Sequence, residues 1–273
     1  MDRRKIGLLA GGGMMPVEII RSCRARGIEV YVVGLLPWAD ETVTPDGTSH
    51  VMARLGEVGK MMKFFRTHDV TDIVLAGGIK RPALKELIPD FEAIKMLAKI
   101  ALKKQSDDSL FRSVINEIES RGFHVLGIEE VVPEMLFHSG VYGRVKPSSD
   151  DMDDIRRGIE VARALGQVDV GQAVVVQEGI VLAVEAVEGT DAMLSRAASL
   201  RKPGKSPVMV KIKKPGQDSR VDMPAMGLQT IEQLVRHEIG GIAVEAGGIL
   251  VIEREAVIAA ADAAKLFIVG MDL

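Results

Sequence analysis

The stretch Val181 to Leu194, VLAVEAVEGTDAML, sets two acids, a glycine and a threonine beside a third acid. Its alternation predicts a strand with Val181, Ala183, Glu185 and Val187 on one face and Leu182, Val184, Ala186 and Glu188 on the other, so both glutamates fall near its carboxyl end. Gly189 turns the chain, and Thr190 can cap the helix that follows. A threonine cap in front of free N–H groups is a ready anion site; the plainer reading is that Thr190 and Asp191 cap a helix and do nothing more.

Glycine-rich turns offer a second kind of chemistry, because backbone without side chains can come close to a phosphate while helix N–H groups point at it. Gly11, Gly12 and Gly13 follow a predicted strand at Lys5 to Ala10. Gly77 and Gly78, with Lys80 and Arg81 just after, follow another at Asp72 to Ala76. Ligands in open α/β sheets bind beyond the carboxyl ends of the strands, which assigns both sets to one mouth. The dinucleotide fingerprint is incomplete: Pro16 stands where its third glycine would be, and no acid closes the second strand, since VVGLLPW runs on to Asp40. A nicotinamide-dependent oxidoreductase is therefore disfavoured. GEVGK at Gly56 to Lys60 has too few residues between its glycines for a phosphate loop and reads as a helix start. In Gln105-Ser106-Asp107-Asp108, Ser106 or Asp107 can cap a helix, which leaves one acid free to face a ligand.

These residues need a scaffold, and 273 residues at 47% hydrophobic are enough for two modest cores. The N-terminal part alternates strand and helix: a helix from Pro16 to about Arg26, a strand at Glu29 to Gly34, a helix to about His68, helices over Phe91 to Lys104 and Asp108 to Arg121, and a strand at Phe123 to Gly127. Such βαβ units demand parallel strands. HSGVYGRVKPSSD, His138 to Asp150, is rich in turn formers and is expected to be a linker between domains at 1–137 and 151–273. The second half is expected to be α/β as well, with a helix at Met152 to Leu165, strands at Gln172 to Gln177 and Ile180 to Val187 joined by the Glu178-Gly179 turn, a strand at Pro207 to Lys213, and then helix, two strands, helix and strand. The fold class is thus α/β, a Rossmann-like parallel-sheet domain followed by a second α/β domain.

Thirty-five basic against 38 acidic residues give a net charge of −3, with no basic field to hold nucleic acid. Cys23 is the only cysteine, which excludes an intrachain disulfide and points to the cytoplasm. Arg3, Arg4 and Lys5 before IGLLAGGGMMPV mimic the start of a signal peptide, but Glu18 and Arg21 interrupt the approach to Cys23, and the stretch is read as a first strand and its turn. No apolar run reaches the roughly 18 residues of a membrane span, so any bilayer contact is expected to be peripheral. Five histidines, none at a metal-ligand spacing, argue against zinc.

LLAGGG at the start, Asp169-Val170-Gly171-Gln172, VLAVEAVEGTDAML, and KKPGQDSRVDMPAMG with Thr230 after it together resemble the LpxI-type UDP-2,3-diacylglucosamine pyrophosphatases of lipid A biosynthesis. The resemblance implies hydrolysis of that lipid-linked nucleotide sugar to UMP and 2,3-diacylglucosamine 1-phosphate, with water attacking the α-phosphorus. It also implies a divalent ion, usually Mg²⁺ with Mn²⁺ as a substitute, substrate held between two domains, and a homodimer formed through the C-terminal domain. Carried over by matching motif, Asp222 is the essential metal-binding aspartate, Thr190 and Asp191 belong to its Glu-Gly-Thr-Asp segment, and Gly11 to Gly13 to its N-terminal loop. Gln105-Ser106-Asp107-Asp108 departs from the Gly-Asp-Asp form of many relatives.

The chemistry fits those residue types. A pyrophosphate diester carries two negative charges that must be neutralised before water can attack. Magnesium takes oxygen ligands and commonly only one or two carboxylates, so Asp222 with Asp191 or Glu188 would suffice. Lys211, Lys213 and Arg220 could add positive charge, although each has an ordinary alternative as a solvated surface residue. Asp222 likewise has the alternative of a surface pair with Arg220. Gln172 and Asp107 join the glycine loops and Thr190 as candidate substrate contacts. A nucleotide-sugar binding regulator without catalysis would keep the glycine loop and dispense with Asp222.

Overall fold

The computed structural model describes residues 4–45, 47–79, 90–94, 107–220 and 223–273, with the side chains of 107–111 left out. The chain divides into two compact units, Met1–Pro133 with Asp218–Asp222, and Glu134–Gln217 with Met223–Leu273.

The first unit is built on a five-stranded parallel sheet. Its strands are β1 (Lys5–Ala10), β2 (Glu29–Leu36), β3 (Ser49–Arg54), β4 (Asp72–Ala76) and β5 (His124–Leu126), in the order β3-β2-β1-β4-β5. Ile6, Leu8, Val32, Val33, Ile73 and Val74 are fully buried, as expected for strands covered on both faces. Helices α1 (Met15–Ala25), α2 (Val58–Thr67) and α3 (Asp107–Glu119) supply the crossovers, and a one-turn helix α4 (Ile128–Val131) follows β5. Pro16 sits at the start of α1, where its missing N–H costs nothing. β3 is the strand the sequence reading omits. Its alternation is hidden by Ser49, His50 and Arg54, and only Ala53 is fully buried on this sheet edge. The strand order reverses between β1 and β4, which brings the two glycine loops together.

The second unit carries a six-stranded mixed sheet, β6-β13-β11-β9-β7-β8. These are β6 (Gly140–Tyr142), β7 (Ala173–Gln177), β8 (Ile180–Val184), β9 (Val208–Lys211), β11 (Gly241–Glu245) and β13 (Phe267–Met271); β10 (Ala225–Met226) and β12 (Leu250–Val251) form a separate short parallel pair. β9, β11 and β13 run parallel, while β6, β7 and β9 lie antiparallel to β13, β8 and β7 respectively. Helix α5 (Ser149–Gln167) covers one face through Ile155, Ile159 and Ala162 against Val174, Val176 and Val210. Its start is fixed by a capping box in which Ser148 and Asp151 satisfy each other's backbone N–H. Helices α6 (Gly189–Leu200), α7 (Leu228–Arg236) and α8 (Arg254–Ala263) lie with the other face, around Met193, Leu194, Leu234 and Val257.

Glu178 and Gly179 turn the β7–β8 hairpin with φ of +49° and +78°, both in the left-handed region as a two-residue type I′ turn needs. Residues 138–150, read from sequence as a linker, contribute β6 to this second sheet, where Val141 pairs with Val269. Three residues are too few to show a strand period, and Gly140 and Gly143, both at positive φ, give the stretch its loop-like composition. The helix expected over Phe91 to Lys104 lies largely outside the described residues. So do Lys80, Arg81 and Asp222.

Candidate functional site

At the carboxyl ends of β1 and β4 the glycine loops close on one another. Gly11 N–H donates to the Ala76 carbonyl at 2.8 Å, Gly12 N–H to Gly78 O at 3.0 Å, and Gly78 N–H back to Gly12 O at 2.9 Å. A Cβ at Gly11 would stand 2.6 Å from Gly78 O, and one at Gly77 2.8 Å from the Gly11 carbonyl carbon. These glycines are therefore required for backbone contact inside the unit, and the N–H groups of Gly11, Gly12 and Gly78 are spent there. Gly13, at φ +92° with open space within 4 Å of where a Cβ would stand, is needed for its conformation alone. Asp107 is the first residue of α3; the cap position that the sequence reading offered to Ser106 or Asp107 falls outside the described residues.

The second constellation lies in the other unit, at the end of its sheet where β8 and β9 finish and β7 begins. β8 stops at Val184, short of the predicted Val187, and Arg196 on α6 donates to the Val184 carbonyl at 2.8 Å. Glu185 keeps the ladder for one more residue by donating its N–H to Ala173 O at 2.8 Å, and Ala173 in turn pairs with Lys211. Glu185, Ala173 and Lys211 thus form one row across three strands, in which the small alanine separates the two charged side chains. Only 7% of Glu185 and 7% of Lys211 remain exposed.

Glu185 is the centre of this group. One carboxylate oxygen accepts the Thr190 hydroxyl at 2.5 Å and the other the Gln172 backbone N–H at 3.3 Å. Gly171 permits the approach, since a Cβ there would collide with the Glu185 carbonyl. The motif Asp169 to Gln172 is thereby fastened to the acid-rich segment that follows β8. Thr190 is consequently not the helix cap that its type suggests. Helix α6 begins at Gly189 with Glu188 in the cap position and without a side-chain cap, and Thr190 turns its hydroxyl to Glu185.

Asp191 is exposed in the first turn of α6, and one of its oxygens accepts from Gln229 Nε2 at 3.3 Å. Glu188 is held by Arg196; its own backbone N–H and that guanidinium hold its carboxyl below the usual value. Burial pushes the Lys211 ammonium down, against the opposing pull of Glu185 and Asp191. Among the described residues its Nζ has one hydrogen bond, to the Ala225 carbonyl at 3.4 Å. The side-chain oxygen of Gln172 is buried and, among the described residues, unpaired.

The structure therefore links Gln172 and Thr190 through Glu185, with Asp191 next to Thr190, and adds Glu185 itself, which the sequence reading left outside its candidate set. Lys211, which that reading offered either as a source of positive charge or as a solvated surface residue, lies in the same row as Glu185. Lys211 is buried, not solvated. Its signal was available in VMVK: with Val208 and Val210 on one face, Met209 and Lys211 share the other, and a lysine there ends a buried strand. The Arg220 guanidinium grips Asp218 with two hydrogen bonds of 2.9 and 2.7 Å and reaches Glu119 at 3.3 Å, all within the first unit. Among the described residues no three His, Cys, Asp or Glu side chains form a group able to hold a metal, and no helix is long and apolar enough to cross a membrane.

Comparison with known proteins reaches both units. Residues 5–135 match the family model of the LpxI N-terminal domain and residues 138–269 that of the LpxI C-terminal domain. The UDP-2,3-diacylglucosamine pyrophosphatase LpxI of Caulobacter vibrioides is 42% identical over 276 residues, covering 98% of each chain. Two solved structures show a distant likeness. The N5-carboxyaminoimidazole ribonucleotide synthetase of Thermotoga maritima is 14% identical with a TM-score of 0.24, over 68% of this chain and 42% of its own. The N5-carboxyaminoimidazole synthase of Aspergillus clavatus is 13% identical at 0.24, over 75% and 64%. Superpositions that poor carry no structural correspondence.

Proposed function

This chain belongs to the LpxI family, and from that premise we propose that it hydrolyses the pyrophosphate of UDP-2,3-diacylglucosamine to UMP and 2,3-diacylglucosamine 1-phosphate, in lipid A biosynthesis, by attack of water at the α-phosphorus. The observation that carries this reading is the 42% identity over 98% of both chains. The polar cluster around Glu185 supports it in kind: a buried cation lies in the same strand row as a carboxylate that holds a hydroxyl, at the end of a sheet, and such groups suit a phosphorylated ligand.

A divalent ion, Mg²⁺ or another such as Mn²⁺, belongs to the same proposal. Asp191 offers an exposed oxygen donor, and one or two carboxylates with waters are the usual protein share of magnesium coordination. Asp222 and Asp191 would hold it; Glu188 would first have to leave Arg196. When bound, such an ion neutralises charge on the phosphoryl oxygens. The chain's own part is to fix Thr190 through Glu185, to present Lys211, and to hold the backbone of Gly11, Gly12 and Gly78 in one shape. We extend the reading to a homodimer formed through the second unit, and to a cytoplasmic protein that meets the inner membrane peripherally to reach its lipid substrate.

The test is incubation with UDP-2,3-diacylglucosamine and Mg²⁺ in H₂¹⁸O, with products resolved by mass. UMP and the lipid phosphate are expected together, with the label in UMP. Label in the lipid phosphate would overturn attack at the α-phosphorus, and intact substrate would overturn the activity itself.

A further inference from the structure

Lys211 presents an energetic problem that the fold alone does not solve. An ammonium withdrawn from water costs several kcal/mol unless a counter-charge and hydrogen bonds replace the solvent. Lys211 is 7% exposed, and among the described residues its one hydrogen bond is the 3.4 Å contact with Ala225 and no carboxylate oxygen comes within 4.0 Å of it. Ala173, between them in the row, has only a methyl group and bridges neither charge. Glu185 is already committed to Thr190 and Gln172, and Asp191 to Gln229.

The second unmet group lies at the same end of the sheet. Gln172 precedes β7, one residue from the Ala173–Lys211 pair, and its Oε1 is buried without a partner among the described residues. Side chains alternate along a strand, so Gln172, opposite Ile212, projects to the α5 face, while Lys211 shares the other face with Ala173 and Met209. It is this buried donor, short of bonds, that lies at the edge from which α6 starts with its N–H groups unpaired by any side-chain cap. An anion would satisfy the ammonium and those N–H groups together, whereas water alone would bring no counter-charge within bonding reach of Nζ.

We propose that Lys211 is a phosphoryl-binding residue of this enzyme, donating from Nζ to a phosphoryl oxygen of the pyrophosphate. Glu185 is the positioning residue that holds Thr190 and the Gln172 backbone around that oxygen. The assignment rests on the activity proposed above, and it concerns a contact that serves both ground state and transition state. The phosphoryl group is that of the UMP half or that of the sugar 1-phosphate half, and the probes separate the two.

The experiment measures binding of UMP, uridine and glucosamine 1-phosphate by calorimetry to the full chain and to Lys211→Met, together with turnover of UDP-2,3-diacylglucosamine. Lys211→Gln, which keeps a donor for Ala225, serves in place of the methionine variant if that one does not fold. The expected result is at least a tenfold loss of affinity for UMP or for glucosamine 1-phosphate, identifying the half that Lys211 holds, with uridine affinity unchanged and kcat/KM reduced at least thirtyfold. A purely structural lysine would weaken uridine and UMP alike, and that outcome overturns the proposal. So does wild-type affinity for both phosphorylated probes. If the unaltered chain turns over no substrate while the variant still loses a phosphorylated probe selectively, the activity fails and the phosphoryl contact stands.

Discussion

The two units place polar groups at the carboxyl ends of their parallel strands in opposite ways. In the first, the loops after β1 and β4 are built of glycine backbone and consume their own hydrogen-bonding capacity, Gly12 and Gly78 exchanging N–H and carbonyl at 3.0 and 2.9 Å. In the second, the groups at the ends of β8 and β9 are side chains, two of them charged and buried, and among the described residues Lys211 and the Gln172 side-chain oxygen end short of partners. Buried polar groups in native proteins are nearly always satisfied, so capacity left unspent is where a ligand is expected. A glycine run is thus a poorer guide to a binding site here than a lysine at the end of an apolar strand.

The largest effect is expected at Asp222, the aspartate proposed to hold the metal. If Asp222 holds the proposed ion, Asp222→Ala removes a ligand needed in the transition state, and at least a hundredfold loss of kcat is expected, about 2.7 kcal/mol. Binding should suffer much less, so the variant should trap intact substrate. The surface-pair alternative has to contend with an Arg220 already engaged by Asp218 and Glu119. A folded variant within a few fold of wild type at saturating Mg²⁺ would send the search for the metal site to Asp191 and Glu188.

Next comes Gly77→Ala, which tests whether the glycine loops are structural. Gly77 has φ +95°, and its added methyl would meet backbone of Gly11 and Gly12 within 3.0 Å, where no side chain can yield. Strain and overpacking together should cost about 2–3 kcal/mol, read as a lowered urea midpoint. Unchanged stability with lost substrate affinity would reverse the comparison and make the loops a ligand contact first.

Much of the scaffold is legible in the sequence. β1 and β4 match their predicted bounds residue for residue, because Lys5–Ala10 and Asp72–Ala76 are short apolar runs closed by glycine turns. β3 escapes because a sheet edge tolerates polar residues, and β6 because three residues carry no period. The candidate site is half legible. Thr190 and Asp191 stand out by type and spacing, but their relation to Glu185, Ala173 and Lys211 depends on the β8-β7-β9 register, which is a long-range property that no local pattern encodes. Arg196 likewise claims Glu188 from two turns along α6, so the acid's type alone misstates its freedom.

Gly13→Ala should cost less than Gly77→Ala, about 1 kcal/mol, since only the positive φ is at stake and the space beside it is open. Comparing the two urea midpoints separates conformational need from backbone crowding within the same pair of loops. Equal losses would mean that crowding at Gly77 is relieved by movement of the Gly11–Gly12 backbone.

The smallest effect expected concerns charge in the first unit, where pairs are satisfied rather than waiting. The Arg220 guanidinium, and then its backbone N–H at 3.2 Å, hold the Asp218 carboxyl below the usual carboxylate range. The unfolded chain, with an ordinary aspartate near pKa 3.9, binds that proton more readily. The pair's contribution is therefore fully present above about pH 4 and is lost as the pH falls through the lower folded value. Asp218→Asn should lower the urea midpoint modestly at pH 6, because a partly solvated pair is worth little. Near pH 2.5 the difference between variant and wild type should shrink. A gap that stays constant from pH 6 to pH 2.5 would show that Asp218 acts through its hydrogen-bond geometry and not through its charge, and the contrast between a charge-satisfied first unit and a charge-unmet second would lose that support.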